Sequence, residues 1–433
     1  MSPNTVNTHR NVNTDSVSNA TTPRARWTSW VVTCALISTL SLWGCADDPS
    51  VDGLTETSRS HTAPDQKADG ATRYPSGGAL ELTCSKPTQG WDPNGVHNQG
   101  DGQQFEGWYY RVTEPESGES WVIITAFWLT DQGIGRSFIE LIQGSTGATY
   151  KRVFEDVDVK RYQESLGEFS LKIGEVYFSA DQVSGRFIDD QGAEINLELN
   201  IDACAFWGAP DDERNRWTMG WATEVVGPPL KWHVHHLKGE AHGAILISRS
   251  GEEELRADFS GAPVHQEKNW GRAFPKRWVW MQSNVFEGRP DVAFAAAGGP
   301  VFGFNLSPSG YMMGLRWRDE FFTWRTQDGH SFKEVDFRLD HERGLAVWTM
   351  RAESIRYRAD VTITGAISEL IPVDVPAEEG LVFGALEHLS ADLSIEMYTR
   401  RGLGWQFLER VTSSHAAVEA GGELAHQVRD ALR

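Results

Sequence analysis

Between His265 and Gly288 the chain reads HQEKNWGRAFPKRWVWMQSNVFEG, which gathers Glu267, Lys268, Asn269, Trp270, Trp278, Trp280, Gln282 and Asn284 into one short span. Its second half alternates like a strand. Trp278, Trp280, Gln282, Asn284 and Phe286 fall on one face, with Val279, Met281, Ser283 and Val285 on the other. Two indoles and two carboxamides on one face suit a cavity that holds a large flat or greasy molecule and orients it with a few polar groups. A second span, Phe105–Val112 (FEGWYYRV), puts Glu106, Trp108 and Tyr110 on a common face. Desolvation beside aromatic walls disfavours an ionised carboxyl, so Glu106 is a candidate general acid near neutral pH, and Glu267 is a second. The indole faces of Trp108, Trp270, Trp278 and Trp280 could steady an adjacent positive charge by about 0.5–2 kcal/mol each. Each feature has a plainer alternative. Trp and Gln also occur on strands at sheet interfaces, and both glutamates could be conformational anchors paired with a cation or with backbone amides. Lys268 alternates away from Glu267 and so serves another face.

The elements that must position these residues are almost all β. Short alternating runs recur at Trp121–Leu129, Ser137–Gln143, Ala193–Leu199, Ala244–Ser248, Trp278–Phe286, Ala346–Met350 and Ser394–Tyr398. Clusters such as Asp131-Gln132-Gly133 and Asp189-Asp190-Gln191-Gly192 separate them, which is the pattern of hairpins in barrels or sandwiches. A short helix is expected only within residues 415–433. Roughly 350 residues of β structure exceed one barrel, so two domains are expected, 79–262 and 263–433, with the boundary near 250–264.

The N-terminal part reads as an export signal. Arg24 and Arg26 precede an uncharged run from Trp27 to Gly44 that ends at Cys45, a pattern resembling a bacterial lipoprotein signal over residues 1–45. On that expectation Cys45 carries lipid, and Ala46 after it fits passage to an outer membrane. Residues 46–78 are rich in Asp, Ser, Thr, Gly and Pro and are expected to be a flexible tether. Of the four cysteines, Cys34 lies in the signal and Cys45 would be lipidated, leaving Cys84 and Cys204 as a candidate disulfide in an oxidising periplasm. The net charge is −20, and removal of residues 1–44, with three arginines and one aspartate, takes it to about −22. That excludes nucleic acid as a natural partner and leaves membrane attachment to the lipid anchor. His233 and His235 share a strand face in Lys231-Trp232-His233-Val234-His235-His236, which would permit two metal ligands. No carboxylate completes a conventional set, so a solvated or pocket-rim strand is expected and no metal.

Four segments together resemble the tocopherol cyclase family, a lipocalin-like family related to carotenoid 1,2-hydratases. They are Phe105–Val112, the Trp-centred Lys231-Trp232-His233-Val234, the Glu267 motif and the closing Ser413–Gly422, so the likeness spans about 95–425. The resemblance implies two lipocalin-like antiparallel barrels in tandem. It also implies cyclisation of a prenylated quinol to a chromanol: a proton is added to a trisubstituted alkene and the phenol oxygen captures the tertiary cation, with no cofactor. Glu106, Glu267, Lys268 and Asn269 are then the candidate catalytic residues. Trp108, Tyr110, Trp270, Trp278, Trp280, Gln282 and Asn284 are the candidate substrate-binding ones. The competing expectations are a hydratase, in which water captures the cation, and a non-catalytic isoprenoid-binding lipoprotein.

Overall fold

In the computed structural model, residues 72–75, 104–129, 135–155, 160–161, 169–208, 217–221, 229–300, 309–318, 320–377 and 380–432 are described. The expected signal with Cys45, most of the tether and Cys84 lie outside them, as does the side chain of Cys204. The described residues belong to one compact unit, Asp65–Arg433.

A short strand β1 (Thr72–Pro75) comes first. The first half then runs β2 (Gln104–Thr113), β3 (Ser120–Leu129), β4 (Gly135–Gln143), β5 (Thr149–Glu155), β6 (Lys160–Arg161), β7 (Ser170–Ile173), β8 (Val176–Ser179), β9 (Gln182–Ile188) and β10 (Glu194–Phe206). Two long strands, β11 (Leu230–Ser248) and β12 (Leu255–Gly271), complete it. The second half holds β13 (Arg277–Ser283), β14 (Ala293–Pro300), β15 (Ser309–Trp317), β16 (Glu320–Arg325), β17 (Ser331–Asp340), β18 (Leu345–Glu353) and β19 (Tyr357–Ala366). It ends with β20 (Ile371–Ala377), β21 (Gly380–Arg401), β22 (Gly404–Gly422) and the helix α1 (Glu423–Ala431), which lies within the tail expected to be helical.

These strands form two curled antiparallel sheets, as the expected all-β, two-barrel architecture requires. The first has the order β5-β4-β3-β2-β12-β11-β10-β9-β8-β7-β6. The second has β1-β16-β15-β14-β13-β22-β21-β19-β18-β17, with β20 attached only to β21. Both halves share a topology that no sequence repeat betrays. In each, the first long strand pairs with the last (β2 with β12, β13 with β22), and the curl opens between strands from the middle of the half.

Burial falls into three principal clusters. One fills the curl of the first sheet (Trp108, Tyr110, Ile123, Leu197), one that of the second (Met281, Phe294, Trp324, Trp348), and the third lies between the sheets (Val122, Trp232, Trp278, Trp280). This is why β3 reads SWVIITAFWL with no polar face. Trp121, Ile123 and Phe127 point into the first curl while Val122 and Ile124 point into the seam, so both faces are covered.

The structure departs from several sequence expectations. The chain passes from one sheet to the other between Gly271 and Arg277, after the expected boundary at 262, because β12 continues unbroken through the Glu267 motif. Residues 72–75, in the stretch expected as tether, pair with β16. Phe286 does not share the Trp278–Trp280 face. Regular pairing stops at Ser283, and Phe286 joins the interior of the second sheet.

Candidate functional site

The two central strand pairs meet back to back at the seam, and a cavity of about 90 Å³ lies there. It draws Phe105 and Tyr109 from β2, Glu267 and Asn269 from β12, Trp280 from β13, Glu387 from β21 and Glu419 from β22. Strand register dictates this gathering. Glu267 lies opposite Tyr109, Trp280 opposite Glu419, and Glu419 opposite Glu387. Directly opposed residues of an antiparallel pair share a face. Val373–Pro376 of β20 complete one wall, so that wall is hydrogen-bonded to the sheet along one edge only.

Each carboxyl in the cavity is anchored differently. The Tyr109 hydroxyl donates to Glu387 Oε1 at 2.6 Å. The Trp278 indole N–H donates to Glu419 Oε2 at 2.7 Å. Trp280 Nε1 donates to Glu267 Oε2 at 2.9 Å, and His265 Nε2 lies 2.9 Å from the same oxygen. Desolvation pushes Glu387 up to about 8, and the charge of Glu419 beside it adds to the effect. Desolvation likewise pushes Glu419 to about 7, with Glu267 contributing in the same direction. Burial and the neighbouring Glu387 hold the Tyr109 phenol well above its ordinary value. A carboxyl still protonated near neutrality, among aromatic faces, can serve as a general acid. The Tyr109 and Trp280 rings meet edge to face at 5.3 Å, and Phe105 stacks on Phe274 at 4.9 Å. These walls tolerate a cation without quenching it.

The sequence-derived candidates divide between this cavity and the first curl. Glu267, Asn269, Trp108 and Trp280 line the cavity. Trp278 adjoins it through its bond to Glu419. Gln282 is fully buried and accepts from Arg111 at 2.9 Å. Asn284 is fully buried with neither amide atom hydrogen-bonded among the described residues. Glu106 and Lys268 instead meet each other in the first sheet at 2.7 Å, both buried. The Lys268 ammonium sits 4.7 Å from the Trp108 ring and 5.0 Å from that of Trp270. Tyr110 donates to the Ser179 carbonyl in the same interior. Sequence reasoning missed Glu387, and it quoted Tyr109 and Glu419 only as parts of motifs. Gly421, beside Glu419, has a readable cause, since a Cβ there would lie 1.9 Å from the Trp278 indole.

His233, His235 and His236, expected on a solvated or pocket-rim strand, are buried. His233 pairs in register with Lys268, His235 and His236 sit where the register of β11 shifts, and Phe206 packs against the latter two. Burial lowers all three below the usual histidine value. Among the described residues no three His, Cys, Asp or Glu side chains are grouped to hold a metal.

Glu140 is a third buried carboxyl pushed up by desolvation, to about 7. Lys151 bridges it at 3.0 Å to Asp374 of β20 at 2.8 Å. Glu140, Glu387 and Glu419 therefore keep a proton in the folded chain at pH values where an unfolded carboxyl, near 4.5, has lost it. The stability they contribute is complete below pH 4.5 and is lost as pH rises through 7 to 8, by up to about 1.4 kcal/mol per group per pH unit. Thermal unfolding followed from pH 5 to 8 should show a falling midpoint, and Glu387→Gln should flatten the fall. A midpoint that climbs over this range would contradict the assignment.

Comparison with known proteins bears on this site. A model of the family described as tocopherol cyclase-like matches residues 145–422, more than half of the chain. The chain is 29% identical over 213 residues to the chloroplastic tocopherol cyclase of Zea mays, spanning 47% of this chain but only 42% of that protein's length. It is 25% identical over 381 residues to the probable chloroplastic tocopherol cyclase of Oryza sativa subsp. japonica, covering 76% of this chain and 78% of that one. Among solved structures, the crystal structure of CghA aligns with 82% of this chain and 99% of its own at 10% identity, with a TM-score of 0.44.

Proposed function

Because the chain belongs to the tocopherol cyclase-like family, we propose that it cyclises a prenylated quinol to a chromanol by alkene protonation and capture of the cation by the phenol oxygen. The observation that carries this reading is the seam cavity, where an acid held protonated near neutrality lies against aromatic faces. The reaction needs a proton donor, walls that survive a tertiary cation and a polar group to orient the ring. Glu387, the Tyr109 and Trp280 rings, and Asn269 supply them in one place. Glu267 is a further carboxyl of the same site. No electron changes hands, so the chemistry calls for no redox cofactor.

The cavity is smaller than the roughly 300–1,000 Å³ that drug-sized ligands occupy. Substrate entry therefore requires a wall to move. β20 is the wall with least to hold it: one hydrogen-bonded edge and the Lys151–Asp374 bridge.

Arg24, Arg26, the apolar run Trp27–Gly44 and Cys45 support an exported, lipid-anchored protein that meets its isoprenoid substrate at a membrane surface.

The test is incubation of the full-length protein with a phytyl-quinol in deuterated water, followed by mass spectrometry. A chromanol carrying one carbon-bound deuterium is the expected product. An alcohol heavier by the elements of water would make the protein a hydratase. Unreacted quinol bound stoichiometrically would make it a carrier.

A further inference from the structure

We propose that Glu387 and Glu419 act as a couple, in which Glu387 delivers the proton to the alkene and Glu419 takes the proton released by the ring-closing phenol; the assignment rests on the cyclase reading above. The two residues lie directly opposite each other on β21 and β22. Such pairs place their Cβ atoms about 4.5–5.5 Å apart. Two negative charges so placed repel, and one retained proton relieves the repulsion. Among the described residues neither carboxyl forms an ion pair, in contrast to Glu106, which meets Lys268, and Glu140, which meets Lys151.

Their surroundings divide the roles. Both line the cavity, Glu387 buried and Glu419 half-buried. The charged and titratable groups facing Glu387 are Tyr109 and Arg111 from β2, Glu140 from β4 and Glu419 from β22. Those facing Glu419 are Glu387 across the ladder and Glu267, and the neutral Trp278 indole donates to it. Burial raises both carboxyls and the charge of Glu419 raises Glu387 further, so the pair retains a proton near neutral pH with Glu387 as its favoured holder.

The cycle balances. The alkene π pair takes the proton of Glu387, forming a C–H bond and a tertiary cation. A lone pair of the phenol oxygen then closes the C–O bond as its O–H breaks, and that proton goes to the Glu419 carboxylate. Passage of the proton from Glu419 to Glu387 restores both groups, and substrate and product have one formula.

The full-length chain and three variants test the couple with a phytyl-quinol across a range of pH. Glu387→Gln should lower kcat at least about 100-fold with KM little changed. Glu419→Gln should slow turnover, abolish the acid limb of the pH profile and move the alkaline limb to lower pH, because a neighbouring negative charge no longer holds the proton on Glu387. Tyr109→Phe, which removes one hydroxyl, should move that limb to higher pH, since the lost hydrogen bond favoured the ionised carboxyl. A residue with only a structural role would not move the limb in opposite directions.

Infrared spectroscopy of the substrate-free chain gives a second readout: the wild-type minus Glu387→Gln difference spectrum at neutral pH should carry a protonated-carboxyl carbonyl stretch, over the partly protonated Glu140 common to both. Near wild-type turnover in Glu387→Gln, or an unmoved profile in Glu419→Gln, overturns the couple while leaving the cyclase reading intact. That stretch in the difference spectrum together with no turnover by any form overturns the cyclase reading, and with it the catalytic roles, while the proton sharing stands. A difference spectrum without that stretch overturns Glu387 as the protonated partner whatever the turnover.

Discussion

Replacing Lys268 with methionine should cost about 3–5 kcal/mol of folding stability, and adding Glu106→Gln to it should restore a large part of the loss. Both side chains are buried in the first sheet, with Nζ and Oε2 2.7 Å apart. Methionine fills the space between the Trp108 and Trp270 rings but leaves the Glu106 carboxylate without its cation in a medium that solvates it poorly. Neutralising Glu106 as well removes that penalty. The double-mutant cycle is read by urea unfolding of the four forms. Additive losses would mean that the pair is not coupled, and Glu106 would return as a candidate for chemistry. Strong coupling makes the motif's Lys268 a structural strut between the Trp270 indole and that of Trp108, which borders the cavity.

A second large loss is expected at Arg111, which is fully buried and joins the two sheets. Its guanidinium donates to Gln282 of β13 at 2.9 Å, to the Ser120 hydroxyl at 2.8 Å and to the carbonyls of Leu389 at 2.8 Å and His415 at 2.9 Å. Arg111→Met would strand these acceptors without a donor and should destabilise the chain by about 3–5 kcal/mol. The positive charge also pulls Glu387 downward, so its removal should raise the carboxyl further and carry the alkaline limb of turnover to higher pH. Arg111→Lys separates the two effects. A single ammonium cannot reproduce the planar fork, so stability should stay low while the limb remains near its wild-type position. Equal unfolding midpoints for wild type and Arg111→Met would refute the strut role.

The alternation of apolar and polar residues was enough to read the β class and the face carrying Trp278, Trp280 and Gln282, and the apolar, β-branched and aromatic run Trp121–Leu129 was enough to read a strand there. The same alternation could not tell which of several cores a face would enter. In Phe105–Val112 the Glu106-Trp108-Tyr110 face drew attention because it holds a carboxyl among aromatics. The cavity is built largely by the opposite face, through Phe105, Gly107 and Tyr109. Where both faces of a strand are covered, period two carries no inside and no outside. Glu387 was illegible for a related reason. A lone glutamate in GALEHLSADLS looks like a solvated position, and what makes it chemical is Glu419 across the ladder, 32 residues on in sequence. Phe286 was misassigned because the pattern was extended past the point where regular pairing ends, at Ser283.

The seam also dictates when the site comes into existence. Its defining hydrogen bonds join residues 278 positions apart for Tyr109 and Glu387, and 304 apart for Arg111 and His415. Contacts of such separation are slow to find, because the entropy of closing a long loop must be met before they return any energy. In each half, moreover, the first long strand must wait for the last one to emerge before its central partner is present. A nascent chain can curl its first sheet while the second is still unmade, yet the Glu387–Glu419 pair and the closed cavity are absent until β21 and β22 dock. On the proposed reading, competence is thus acquired in one late event, and a chain halted before β21 lacks the acid pair however much of it has folded.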